Sequence, residues 1–322
     1  MAVHRRDPRA DIVVGGFSAA FAAVLYGSAY VAIAIALDGF TPIGVALWRG
    51  LLGGVALGIV MSLSRLADYR PHRLERSALA RLGVLGLTGG GIFVLAMNAA
   101  VSLSGATITA FVAGLYAVAA ALLAIPLLGE QLERRTVVAL FAALAGTALL
   151  SDVVGGGGRP VGVAMALVAA VAFGLFLVLS RRWGASYGLS GPVVGVASLA
   201  ISALVALGLA VVTGDRVTVG EPGTSAVLAV GWLALGPWAL ASVLVVIGLR
   251  RLRAQTASLL LLLNPPTAAL LAMILLDERL GPVQVAGAAL ILASIGFASG
   301  IRPRRTAFRR SSRPGSEPPP DS

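Results

Sequence analysis

The side chains able to do chemistry are few, and they lie within apolar sequence. Arg49 is the only charge near the middle of an apolar run. Tyr26 and Tyr30 are four residues apart and therefore share one face of a helix. Asn98, Tyr116, Trp238, Ser242 and Asn264 are the other substantial polar or aromatic groups near the middle of such runs. A cation at that depth can hold an anionic group such as a carboxylate. Hydroxyl, amide and indole tips can hydrogen-bond an amine, amide or hydroxyl. These eight residues are the candidates for a substrate cavity. Plainer roles stay open for each of them. Arg49 can reach toward the interface or cap carbonyls of a neighbouring helix, and the others can make interhelical hydrogen bonds worth about 0.6 kcal/mol each. Glu130 and Glu278 end apolar runs, where the helix macrodipole disfavours a carboxylate, so each needs a local partner. Arg134 is near the first and Arg279 adjoins the second. Both glutamates read as structural pins or gate latches.

What is lacking narrows the chemistry. The chain has no Cys, hence no disulfide framework, thiolate metal site or Cys nucleophile. It has no Lys, so a phosphate-binding loop of the G-x-x-x-x-G-K-[ST] type is absent, and with it a built-in ATPase. No Asp or Glu lies mid-run, and His4 and His72 both fall in polar segments, so no carboxylate proton relay is visible. No cofactor and no metal site is expected. An intramembrane transferase would need carboxylate clusters, whereas Asp277-Glu278 is the sole adjacent acidic pair at a run's end. A membrane scaffold or sensor would be expected to carry a soluble module, and the connections are too short for one. Both remain as alternatives to a carrier.

The elements that position these residues follow from composition. Mean hydropathy is +0.93, 58% of residues are hydrophobic and 12% are charged, against about 25% charged in soluble domains. The chain belongs to the membrane class. Apolar runs cover roughly 12–37, 42–63, 82–101, 107–128, 136–154, 161–180, 191–213, 226–248, 256–276 and 282–301, each near the roughly 20 residues that cross a bilayer as a helix. The first run is too long for a signal-peptide core and reads as a retained span. Arg usage then sets sidedness. Of 25 basic residues, all Arg, 21 fall on one side of this layout, 3 on the other, and Arg49 lies within a span. That asymmetry predicts cytoplasmic N- and C-termini. The net charge of +11 thus reads as a membrane signature rather than a nucleic-acid footprint. Exclusive use of Arg, with Ala, Gly and Val in excess, suggests a GC-rich bacterial genome.

One stretch repeats. Residues 256–280 read TASLLLLLNPPTAALLAMILLDERL, and Pro265-Pro266 remove backbone donors halfway along, so a bend or break is expected there. Non-helical backbone at that depth must be buried in protein or line a wet cavity. Residues 107–132 carry the same pattern. Glu130 and Glu278 lie 148 positions apart, as do Leu132 and Leu280, and at that offset Tyr116 matches Asn264. The next runs also correspond, 137–146 with 285–294. With five spans per copy, the two copies insert upside down relative to each other. The expected organisation is an N-tail (1–11), a first five-helix repeat (12–154), a Gly-rich linker (155–160), a second repeat (161–301) and a basic tail (302–322) expected to be disordered. The fold class is an all-α membrane protein with ten transmembrane helices as two inverted five-helix repeats.

These features resemble the EamA-type transporters of the drug/metabolite transporter superfamily. That family has a five-helix repeat present twice, with a fourth helix ending in an apolar-Pro-apolar run followed by a "lgE.l" pattern. Leu276-Asp277-Glu278-Arg279-Leu280 after Asn264-Pro265-Pro266 fits it, as does Leu128-Gly129-Glu130-Gln131-Leu132. Leu47-Trp48-Arg49-Gly50-Leu51 is similar to the family's "lR.l" signature. The first copy departs by having Ala117 and Val118 opposite the two prolines, so the prolines give no ground for a symmetric pair of kinks. The resemblance, over about residues 12–301, implies a multi-pass carrier with a central cavity, working by alternating access. It implies a secondary transporter rather than an enzyme, an exporter of a small polar metabolite such as an amino acid. The partners implied are a small-molecule substrate and the lipid bilayer, with no nucleic acid and with room for a homodimer. Small residues recurring every four positions, Ala46-Gly50-Gly54-Gly58 and Ala19-Ala23-Gly27, predict faces for close helix approach.

Overall fold

The structure, a computed structural model, describes residues 8–63, 76–129, 134–150, 160–184, 191–241, 244, 260–261 and 263–298. The first repeat supplies α1 (Pro8–Ala36) and α2 (Pro42–Leu63), then α3 (Arg76–Ser104), α4 (Ala106–Leu128) and α5 (Arg134–Leu150). The second supplies α6 (Pro160–Gly184) and α7 (Gly191–Thr213), then α8 (Thr224–Leu233 continuing through Ala234–Leu240), α9 (Asn264–Leu275) and α10 (Pro282–Ala298). Pro opens α2, α6 and α10, where its fixed φ suits a helix and its lacking N–H costs nothing. Among the described residues six helices are long and apolar enough to cross a membrane, while Val137–Leu150, Thr224–Trp238, Asn264–Leu275 and Pro282–Ser294 are shorter apolar helices. The described helices follow the expected order, and six of them reach the expected length among the described residues. The linker residues 155–159, the C-tail and residues 1–7 lie outside the described residues.

The main contacts between the two repeats recur when the repeats are exchanged. At the 148-residue offset α1 corresponds to α6, α2 to α7, α3 to α8, α4 to α9 and α5 to α10. α2 packs on its own equivalent α7, and α5 on its equivalent α10. α4 packs on α6 and, in exchange, α9 on α1; α3 packs on α6 and α8 on α1; α3 packs on α7 and α8 on α2. No repeat could bury its faces alone, because most of these contacts cross from one repeat to the other. The largest buried cluster accordingly draws Ala29, Ile33, Val45 and Met97 from the first repeat, with Ala172, Ala206, Leu233 and Ala268 from the second. The outside is apolar: Phe17, Val55, Phe141, Val212, Leu228 and Ile274 are all exposed. A surface of that kind fits lipid.

Close crossings fall on small residues. A Cβ at Gly27 would stand 2.7 Å from the Asn264 carbonyl oxygen, and one at Gly174 would stand 3.0 Å from the Tyr116 carbonyl oxygen. These are equivalent crossings, α1 on α9 and α6 on α4. At Gly50 a Cβ would stand 2.7 Å from the Leu199 carbonyl, whereas at Gly58 it would meet nothing, so the predicted α2 stripe is used at its first half only.

Two irregularities recur at equivalent positions. α3 widens into a π-helical segment at Leu87–Ile92, and α8 does so at Ala234–Leu240. α4 is broken between Ala113 and Tyr116 by a turn at Gly114-Leu115, and α9 starts at Asn264 after a turn at Leu263, the equivalent of Leu115. The kinks are thus a symmetric pair after all. Pro265 and Pro266 occupy the first turn of α9, where they close off a helix start. Gly114 provides the same break without proline and leaves room for Pro265, whose Cγ would lie 3.4 Å from a Cβ there.

Candidate functional site

The mid-span candidates converge where α1, α2, α4, α8 and α9 meet. The π-helical segment of α8 turns Trp238 toward α2, and the Arg49 guanidinium lies over its ring, 4.8 Å from the centroid. Tyr30 lies within electrostatic range of both Arg49 and Tyr116, and Tyr116 within range of Tyr26. Asn264 reaches the same crossing through its backbone, against Gly27 beside Tyr26. Asn98 stands apart on α3, donating from Nδ2 to the Pro42 carbonyl at 3.0 Å. Tyr116 also meets the ring of Phe173 edge-on at 5.1 Å, and Phe173 stacks between Phe93 at 4.7 Å and Phe176 at 5.5 Å. Ser242 and Glu130 lie outside the described residues.

Several of these groups are buried with polar atoms unanswered. Arg49 is 3% exposed, and its Nε and Nη1 have no hydrogen-bond partner. It neither reaches an interface nor caps a carbonyl among the described residues. Asn98 Oδ1 and Asn264 Oδ1 are likewise buried and unpartnered, as are Ser198 Oγ and Ser202 Oγ on α7. Buried polar groups are ordinarily hydrogen-bonded, so these exceptions stand out among the described residues. Ser198, Ser202 and Phe173 carry no signal that separates them, in sequence, from ordinary small or aromatic helix residues. A pocket between α4 and α6, lined by Ala120, Ala121, Ala124, Leu128, Leu177, Val178 and Arg181, contains none of the candidates.

Glu278 finds its partner far along the chain. Its Oε1 accepts from the Ala106 N–H at 2.8 Å and its Oε2 from the Thr107 N–H at 3.0 Å. The expected neighbour Arg279 is not used; the positive end of α4 takes its place. The local reason is Gly105, which occupies the N-cap position at φ +82 and has no side chain with which to cap. A residue of the second repeat thus caps a helix of the first. Glu278 is aimed by Asp277 at φ 53, and the equivalent left-handed position in the first repeat is Gly129 at φ 70. The same end of the molecule is stitched a second time. Thr41 N–H donates to the Val217 carbonyl at 3.2 Å and Val219 N–H to the Gly39 carbonyl at 3.0 Å, around an antiparallel bridge of Phe40 with Thr218.

Comparison with known proteins agrees with this architecture. The sequence profile of the EamA-like transporter family matches residues 13–152 and again 160–300. A solved crystal structure, titled only as that of a protein, superimposes with a TM-score of 0.62 at 23% identity, over 90% of this chain and 96% of the other. That likeness speaks for the fold alone. Among proteins of curated function, none matches. Two profile matches, one per repeat, cover most of the chain, and it belongs to the EamA-like transporter family, a branch of the drug/metabolite transporter superfamily of multi-pass membrane transporters.

Proposed function

We propose that the protein is a secondary transporter that exports a small polar metabolite, an amino acid or related compound, by alternating access. It would sit in a bacterial cytoplasmic membrane with both termini in the cytoplasm. The observation that carries this reading is the exchange symmetry of the packing around two broken helices. A scaffold whose contacts are equivalent on exchange can adopt two equivalent states, one open at each end. The breaks at Leu115 and Leu263 put non-helical backbone at mid-span beside the polar cluster, where a carrier needs its binding site. Glu278 on the α4 N-terminus and the Phe40–Thr218 bridge act as the closure of one end, and that end opens when they part. Arg49, Tyr26, Tyr30, Tyr116, Trp238 and Asn264 line the binding cavity.

The test is a proteoliposome screen for uptake and exchange across amino acids, nucleosides and cationic drugs. Faster movement of at least one class than in empty vesicles is expected. No movement of any of them by folded protein would remove the reading, and so would accessibility labelling that put residues 130 and 278 on the same side of the membrane.

A further inference from the structure

Arg49 is a fixed cation whose pairing the described residues do not complete. A guanidinium stays protonated in proteins, so it cannot escape its burial by losing charge. Trp238 covers one face of the plane, and that contact leaves the in-plane N–H groups free. Nε and Nη1 are buried without acceptors. The acids of the described connections do not answer it: Asp38, Asp215, Glu221 and Asp277 are exposed, and both oxygens of Glu278 are committed to α4.

Symmetry separates this residue from the scaffold. The equivalent of Arg49 is Ala197, and the equivalent of Trp238 is Gly90. α7 and α3 nevertheless make the same crossing that α2 and α8 make, with the Ser198 carbonyl seated directly on Gly90. The fold builds that crossing once with Ala and Gly and once with Arg and Trp. A cation is therefore not what the crossing requires.

We infer that Arg49 is the anion-recognition residue of the transport site and that its ligand is a monocarboxylate, free or as the carboxylate of a zwitterion. This rests on the carrier reading given above. One carboxylate matches the fork of in-plane N–H groups and cancels a single positive charge. A phosphate would carry close to two charges, and the remaining cations of the described residues, Arg9, Arg76, Arg81, Arg134, Arg135, Arg181, Arg182, Arg216 and Arg279, lie near helix ends or in connections. A dianion would thus leave an uncompensated charge in a low-dielectric interior. Trp238 fixes the guanidinium plane from below. The unpartnered Oδ1 of Asn264, whose backbone packs on Gly27 beside Tyr26, supplies an acceptor for a ligand N–H.

The experiment compares matched probes on purified protein in lipid nanodiscs. Melting curves are recorded with each of the common L-amino acids, with lactate and pyruvate, with the carboxamide of each acid, and with inorganic phosphate. At least one carboxylate is expected to raise the melting temperature, and its carboxamide to bind roughly 10-fold or more weakly, the effect of losing a charge-assisted bidentate pair. Arg49→Gln should erase the difference between acid and amide, and Arg49→Lys should restore part of it. The acid-against-amide comparison on the unaltered protein stands even where a variant does not fold. Equal binding of acid and amide, tighter binding of phosphate, no stabilisation by any carboxylate, or an unchanged preference in folded Arg49→Gln would each overturn the assignment. The same probes are then run in proteoliposomes. Arg49-dependent binding without movement would refute the carrier and leave the anion site standing, while movement of neutral solutes untouched by Arg49→Gln would do the reverse.

Discussion

Removing the charge of Glu278 should loosen one end of the protein by a calculable amount. In Glu278→Gln the amide keeps one acceptor for Ala106 or Thr107 and turns an NH2 group toward the other N–H. One of the two bonds, at 2.8 and 3.0 Å, is lost, together with the attraction of a carboxylate for a helix N-terminus. A hydrogen bond to a charged group is worth about 1.5–3 kcal/mol and the dipole term about 0.3–1 kcal/mol. Glu278 is half-buried, so screening brings the loss down to roughly 1–2 kcal/mol. At 1.4 kcal/mol per decade, that is a shift of about 5- to 30-fold toward the state open at this end. Thr107→Cys is a suitable reporter, because Thr107 is 1% exposed, its Oγ1 makes no hydrogen bond, and the chain has no other cysteine. A membrane-impermeant thiol reagent should label it 5- to 30-fold faster when Glu278→Gln is added, at unchanged expression and monodispersity. Gly105→Ala should act in the same direction, since its Cβ would stand 2.8 Å from Glu278 Oε1 at a φ of +82 that side chains rarely adopt. Equal labelling rates with and without Glu278→Gln, in folded protein, would refute the idea that this carboxylate holds the end shut.

Further outcomes follow from the same geometry. Arg49→Met should leave the ligand-free protein at least as stable as the original, because it removes a buried unpaired charge worth several kcal/mol of desolvation; a fall in melting temperature would return Arg49 to a structural role. Asp277→Gly should be neutral or stabilising by up to about 1 kcal/mol, and Asp277→Val destabilising by roughly 1–2 kcal/mol, since the position sits at φ 53; thermal unfolding in detergent reads both. Gly90→Ala should prevent proper assembly, because its Cβ would run into the Ser198 carbonyl; a monodisperse protein with unchanged melting temperature would contradict the α3–α7 crossing.

How much of this was legible in the sequence depended on whether the cause was local. Apolar runs and the Arg asymmetry are local, and they set the helix order; the 148-residue offset set which helix corresponds to which. The double proline marked the break before α9 because proline removes a backbone donor wherever it stands. Gly114 gave no such mark. It breaks α4 without a proline of its own, and Pro265, the residue of the other repeat that meets it there, lies far along the chain, so the symmetric pair of kinks is visible only in the fold. The π-helical segments are similar: the run Gly89-Gly90-Gly91 and Pro237 are visible as irregularities, but what they accommodate, Ser198 in one case and Arg49 in the other, belongs to distant chain. The partner of Glu278 lies 171 and 172 positions away, beyond any argument from neighbours such as Arg279.

The two repeats agree in scaffold and differ in chemistry, and that difference is informative. Selection for the fold acts on both copies of each crossing, so features the fold requires should occur in pairs. The left-handed positions Gly129 and Asp277 do, as do the π-helical segments and the mid-span breaks. Arg49, Trp238, Asn98, Tyr26 and Tyr30 do not; their equivalents are Ala197, Gly90, Val246, Gly174 and Val178. Tyr116 and Asn264 occupy one pair of equivalent positions with two different polar groups. A pocket on an exact two-fold axis would present identical groups to both halves of a ligand, and few small metabolites have two identical halves. In the carrier proposed above, concentrating the cation and its aromatic cover on one side would let the scaffold hold an asymmetric solute in a single orientation while it opens at either end.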